Sequence, residues 1–88
     1  MNMPIVSQFY GIKITMFYDD HGEPHFHVYY AEYSAKISIK SGKIIAGSLP
    51  KRAQKLISEW MSQYTDDLME NWKLAKEHKV LQIINPLK

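Results

Sequence analysis

The chain contains no cysteine. A disulfide framework, a thiolate zinc site and a sulfur nucleophile are therefore excluded, and any metal must be held by His, Asp or Glu. Long apolar runs are also missing: nothing approaches the roughly 18–20 apolar residues of a spanning helix. The opening Met-Asn-Met-Pro-Ile-Val-Ser-Gln lacks the basic-then-apolar pattern of a secretory leader. A soluble, cytoplasmic protein without membrane association is expected. Charge of one sign is scarce, with 11 Lys and Arg against 9 Asp and Glu and a net charge of +2. Bulk charge is too small to argue for nucleic acid, so the distribution of cations has to carry any such argument. Repeats and low-complexity segments are absent. What remains, 88 residues of which 45% are hydrophobic, suits a single domain over residues 1–88 with one modest core.

Residues 1–8 read as a short lead-in, extended at Pro4. From Phe9, Ile12, Ile14, Met16 and Tyr18 alternate with Lys13, Thr15 and Phe17, the pattern of a strand. Asp19 to Pro24 is a turn by composition. Strands are expected at His25–Tyr30 and Tyr33–Lys40. If Ala31-Glu32 is a two-residue connection, Tyr30 pairs with Tyr33, Val28 with Ala35 and Phe26 with Ile37 on an apolar face. The opposite, polar face then pairs His27 with Lys36, His25 with Ser38 and Tyr29 with Ser34. A short fourth strand follows at Ile44–Gly47.

Ser48 or Leu49 would cap a helix with Pro50 in its first turn. Along it, Ala53, Leu56, Ile57, Trp60, Met61 and Tyr64 form one apolar stripe that should pack on the Ile12/Ile14/Phe26/Ile37 face. Thr65, followed by Asp66 and Asp67, reads as the N-cap of a second helix with Leu68, Trp72 and Ala75 inside and a Tyr64–Met69 staple. Val80 to Ile84 is apolar and β-prone, a tail that pairs with a sheet edge or meets a partner. The expected fold is α+β, an antiparallel meander of about four strands (residues 9–47) covered on one face by two C-terminal helices (50–63 and 66–79), ββββαα, with a tail at 80–88.

Three of the four histidines fall between His21 and His27. His25 and His27 lie on one face of a strand, roughly 6.5–7 Å apart along it. With His21, Asp19 and Asp20 on the adjoining turn they satisfy the inventory of a metal site for a divalent ion such as zinc, about three protein ligands and an open position. Without a metal, His25, His27, Tyr29 and Lys36 could supply the base, acid and cation that RNA cleavage needs. The bland alternative is a solvated polar face with imidazoles capping a turn. Lys51, Arg52 and Lys55 sit at a helix start, where cations oppose the dipole and exposed amides favour an anion such as phosphate. Their bland alternative is a solvated helix end beside an acidic neighbour. Trp60 and Trp72 fit the helical stripes and read as core. Phe17 beside Lys13, Thr15 and the histidines gives a basic face with an aromatic in it, a composition that suits single-stranded nucleic acid.

The stretches Phe9-Tyr10-Gly11-Ile12, Asp19-Asp20-His21, Pro24-His25-Phe26-His27, Leu49-Pro50-Lys51-Arg52-Ala53, Glu59-Trp60, Glu70-Asn71-Trp72 and Ile84-Asn85-Pro86-Leu87 together resemble the prokaryotic family DUF4160. The resemblance covers nearly the whole chain, and Gly22-Glu23 departs from the Asn/Pro-like turn expected there. Members often lie beside a second small protein in a pairing proposed as a toxin–antitoxin module. The resemblance therefore implies a cognate small protein encoded nearby and an RNA target, but supplies no activity or catalytic residues.

The leading expectation is a toxin-like component acting on RNA, with His25 and His27 as acid and base and Lys36, Lys51 and Arg52 on phosphate. Against it stand a non-catalytic antitoxin or regulator, docking its partner through Val80–Ile84 or binding nucleic acid, and a small His/Asp metalloprotein. Only the last requires a cofactor. Self-association as a homo-oligomer is left open.

Overall fold

A computed structural model describes residues 4–88, so the first three residues of the expected lead-in lie outside it. The chain forms one antiparallel sheet in sequence order, β1 (Ile5–Phe9), β2 (Ile12–Thr15), β3 (His25–Tyr30), β4 (Tyr33–Ser38) and β5 (Ile44–Gly47), followed by one helix, α1 (Lys51–Lys76). The fold is α+β as expected. Among the described residues it has five strands and one helix, however, where the sequence suggested four and two.

The extra strand comes from the lead-in. Val6 and Phe9 are buried, and the chain reverses at Tyr10-Gly11, both with positive φ (49° and 79°), so that Phe9 pairs with Ile12. Two left-handed residues in a row are what a tight hairpin requires, and Gly11 adopts one without strain. Tyr10 is an uncommon residue for that position, so the hairpin was hidden inside what read as one continuous strand. The β3–β4 register is the one expected from the polar and apolar rows, from His25↔Ser38 to Tyr30↔Tyr33.

The missing second helix start is explained at Thr65. Its hydroxyl donates backward to the Met61 carbonyl (2.7 Å) instead of capping forward, a bond that bends helices without ending them. The helix kinks at Tyr64 (φ −127°, ψ 24°) and continues. At its start Pro50 is itself the N-cap, with no side-chain cap bond. Neither Ser48 nor Leu49 serves, and the Gln54 side chain donates to the Leu49 carbonyl. The helix ends at Lys76, three residues before the expected end.

The expected stripe does cover the Ile12/Ile14/Phe26/Ile37 face. Ala53, Ile57, Trp60 and Met61 join those residues in one buried cluster, with Leu56 and Tyr64 packed against it. Trp60 packs near Phe9 and Phe26, at ring separations of 5.3 and 6.0 Å. Beyond the kink, Leu68, Trp72 and Ala75 are buried as expected. The tail takes the first of its two expected roles: the Ile84 amide donates to the Val6 carbonyl of edge strand β1 (2.7 Å), and Ile84 enters the core. Asn71, fully buried, clamps it further by exchanging two 2.8 Å bonds with the Gln82 backbone, while Trp60 Nε1 donates to the Asn85 carbonyl. Among the described residues, no helix is long and apolar enough to cross a membrane.

Candidate functional site

The β2–β3 loop, residues 16–24, returns over the polar face of the sheet. Asp19 has a positive φ of 62°, which turns the two consecutive aspartates to different neighbours. Asp19 is exposed and pairs with His78 (2.8 Å). Asp20 points back to β3, where its Oδ2 lies 3.0 Å from His25 Nε2 and 2.9 Å from His27 Nε2. The sequence grouped five candidate ligands, His21, His25, His27, Asp19 and Asp20. The fold brings together Asp20, His25 and His27, whose ligand atoms all lie within 4.8 Å of one another, and leaves His21 exposed and outside that group.

The polar face is not uniformly solvated, in contrast to the bland expectation. His25 is 3% exposed and Ser38 is fully buried. The His25 ring packs against Trp72 of α1 (5.1 Å between rings), and Lys76 reaches over Trp72 to the Asp20 carbonyl. His25 Nδ1 is 2.8 Å from the Glu23 carbonyl. A carbonyl only accepts, so Nδ1 carries a proton, and in the neutral ring Nε2 is then the nitrogen with the lone pair. Glu23 is itself held, since Ser38 Oγ donates to its carboxylate (2.9 Å) while accepting from the Ser41 amide. Sequence reasoning did not find Glu23, Ser38 or Trp72 as supports. The His25–Ser38 pairing in the expected register was the available signal for one of them.

His27 is partly exposed, edge-on to Phe17 at 4.4 Å. Burial pushes its imidazole below the ordinary 6.5, outweighing the opposing pull of Asp20. Burial alone would raise the Asp20 carboxyl, but the hydrogen bond from His27 and the positive charge of the two imidazoles outweigh it and hold Asp20 below its ordinary 3.8. At neutral pH the cluster thus pairs an ionised carboxylate with a neutral His27.

The remaining candidates divide. Lys13, Tyr29 and Lys36 are half-buried on the same sheet face as His27, with Lys36 directly across from it. Lys51, Arg52 and Lys55 are exposed at the start of α1. About 20 residues of helix, roughly 30 Å of path, separate them from Trp72 and Lys76, the helix residues that touch the cluster. The expected phosphate-binding set is therefore split between two places. A groove of about 390 Å³ lies elsewhere, between the β4–β5 hairpin and α1, lined by Ile37, Gly42, Lys43, Ile44, Gln54, Ile57 and Ser58. It shares no residue with the cluster and offers one charged side chain, Lys43.

A family model described as a domain of unknown function, DUF4160, matches residues 11–73. The chain belongs to this family. The DUF4160 match spans Asp20, His25, His27 and Trp72, so the cluster and most of the helix that backs it are within the family's domain. No curated protein and no solved structure gives a match.

Proposed function

We propose that this DUF4160 protein binds one divalent transition-metal ion through Asp20 Oδ2, His25 Nε2 and His27 Nε2. The observation that carries this reading is the opposition of lone pairs. With Nδ1 of His25 committed to the Glu23 carbonyl, Nε2 faces the Asp20 carboxylate oxygen at 3.0 Å. Two lone pairs at that distance require a positive particle between them, a proton or a metal ion. The second imidazole, converging on the same oxygen at 2.9 Å, supports the metal. The two oxygen–nitrogen edges, 3.0 and 2.9 Å, are those of a coordination shell with bonds near 2.1 Å, and the three ligand atoms lie within 4.8 Å of one another. A backbone carbonyl on the far nitrogen is also the usual outer partner of a ligating histidine. Two nitrogens and one oxygen suit Zn(II), Fe(II) or Mn(II) and leave positions open. An ion held this way can polarise an oxygen of a bound substrate or lower the pKa of a bound water.

Elemental analysis of protein purified without a metal-affinity tag, then dialysed against each ion, tests the reading. One ion per chain is expected in the wild type, and less than a tenth of that in His27→Ala and Asp20→Asn, while His21→Ala retains it. A wild type that stays substoichiometric with all three ions removes the proposal.

A second reading concerns partners. Val80 and Ile83 are 86% and 78% exposed, beside a tail held by Asn71. Exposed aliphatics on a pinned extended segment suit the docking of a cognate small protein, as the toxin–antitoxin expectation requires. Co-expression with the neighbouring gene product should give a complex that Val80→Asp/Ile83→Asp dissociates. As for an RNA-directed toxin using both histidines as acid and base, His27 is accessible for that role. His25, enclosed by Trp72, Glu23 and Asp20, is better suited to holding an ion than to meeting RNA.

A further inference from the structure

Resting on the metal reading, we infer that the ligand held at this centre is a phosphate ester, gripped by Lys36 and Lys13. The sheet register carries the argument. Lys36 stands directly across from His27 on β4, and Lys13 stands on β2, one row along, across from Tyr29. The two lysines are on strands two apart, about 10 Å laterally, with β3 and His27 between them. A ligand that meets the ion beside His27 can extend to Lys36 in the same row and on to Lys13 in the row beyond. Lys36 is close enough for its positive charge to act on the His27 ring.

Both lysines are half-buried, and neither is in an ion pair among the described residues. The nearby carboxylates are engaged inward: Asp20 with the imidazoles, Glu23 with Ser38. Gln8, Tyr29 and Ser34, the other members of the Lys13 row, are uncharged. A divalent ion offset by one carboxylate, with two lysines on the adjoining strands, leaves a positive site on a half-buried face. A phosphate ester presents enough oxygens to meet the ion and both lysines together, whereas a carboxylate presents two.

The test uses Co(II) as the bound ion, because its visible spectrum reports ligands entering the coordination shell. Inorganic phosphate titrated into the wild-type Co(II) protein is expected to change the spectrum saturably. In Lys36→Met, with Co(II) still bound one per chain, about tenfold more phosphate is expected for half-saturation, the loss of one charge-assisted hydrogen bond. Lys13→Met should shift it in the same direction. A loaded wild type whose spectrum ignores phosphate, or a Lys36→Met protein that responds like the wild type, overturns the inference and leaves the metal reading standing. A wild type that takes up no Co(II) removes the metal reading, and this inference with it. Competition by an RNA dinucleotide and by glycerol phosphate identifies the source: tighter displacement by the dinucleotide assigns nucleic acid, by glycerol phosphate a small phosphomonoester. Failure of both to compete overturns the inference.

Discussion

Asp20 and Asp19 show what one dihedral decides. The two residues are chemically identical and adjacent, yet one is held among imidazoles and the other is exposed beside His78. Strand alternation made the shared direction of His25 and His27 readable in advance, because a period of two needs no tertiary information. The choice between the aspartates depends on the positive φ of Asp19, which composition does not specify. The depressed values of Asp20 and His27 have a consequence for acid stability. Each group binds a proton more weakly folded than unfolded, so each contributes stability that is present above its ordinary value and is lost as pH falls through the lower folded value. For metal-free protein in chelator, the thermal midpoint is therefore expected to fall as pH drops from 7 to below 4. In His27→Gln the loss beginning near pH 6.5 should be smaller. Melts followed by circular dichroism across that range check this, and a midpoint that rises on acidification contradicts the assignment.

At the scale of elements, readability followed the length and regularity of each pattern. The helical stripe from Ala53 to Tyr64 and the six-residue pairing of β3 with β4 came out as the periodicities required. Two boundaries did not, each for a local reason. Tyr10 takes a turn conformation that tyrosine seldom adopts, and Thr65 turned its hydroxyl toward the preceding helical turn. Gly47 marks another limit: its φ is 79°, and an added Cβ would run into the Ser34 carbonyl, so β5 closes on β4 more tightly than any side chain permits. Asn71 stood out only within the Glu70-Asn71-Trp72 stretch of the family resemblance, since by periodicity a polar residue beside an amphipathic stripe reads as surface. Its two bonds to Gln82 make a specific demand. Asn71→Ala removes both bonds to the Gln82 backbone from a fully buried position and should destabilise the protein by about 1–3 kcal/mol, with loss of hydrogen-exchange protection at the Gln82 and Ile84 amides. Urea unfolding together with exchange measured by NMR distinguishes this from a harmless surface change, which would leave both untouched.

The whole molecule is a small core, closed on one side by a helix and at the β1 edge by its own tail, and such a molecule has little stability in reserve. An ion that binds only the folded chain should therefore have a large visible effect. At about 100 times its dissociation constant it adds roughly 2.7 kcal/mol, which for a domain of this size raises the melting temperature by about 10–20 °C. Calorimetry with and without chelator is the measurement, and His27→Ala should show no such shift. The helix links this stability to the tail through neighbouring residues. Asn71 grips Gln82, and the next residue, Trp72, backs the His25 ring. Consecutive helical positions point about 100° apart, so one turn serves two clients on different sides. In genetic terms the two form a single locus: if the proposed ion is bound, suppressors of a weakened cluster should be recoverable in the tail, and lesions that free the tail should map with those that lose the ion.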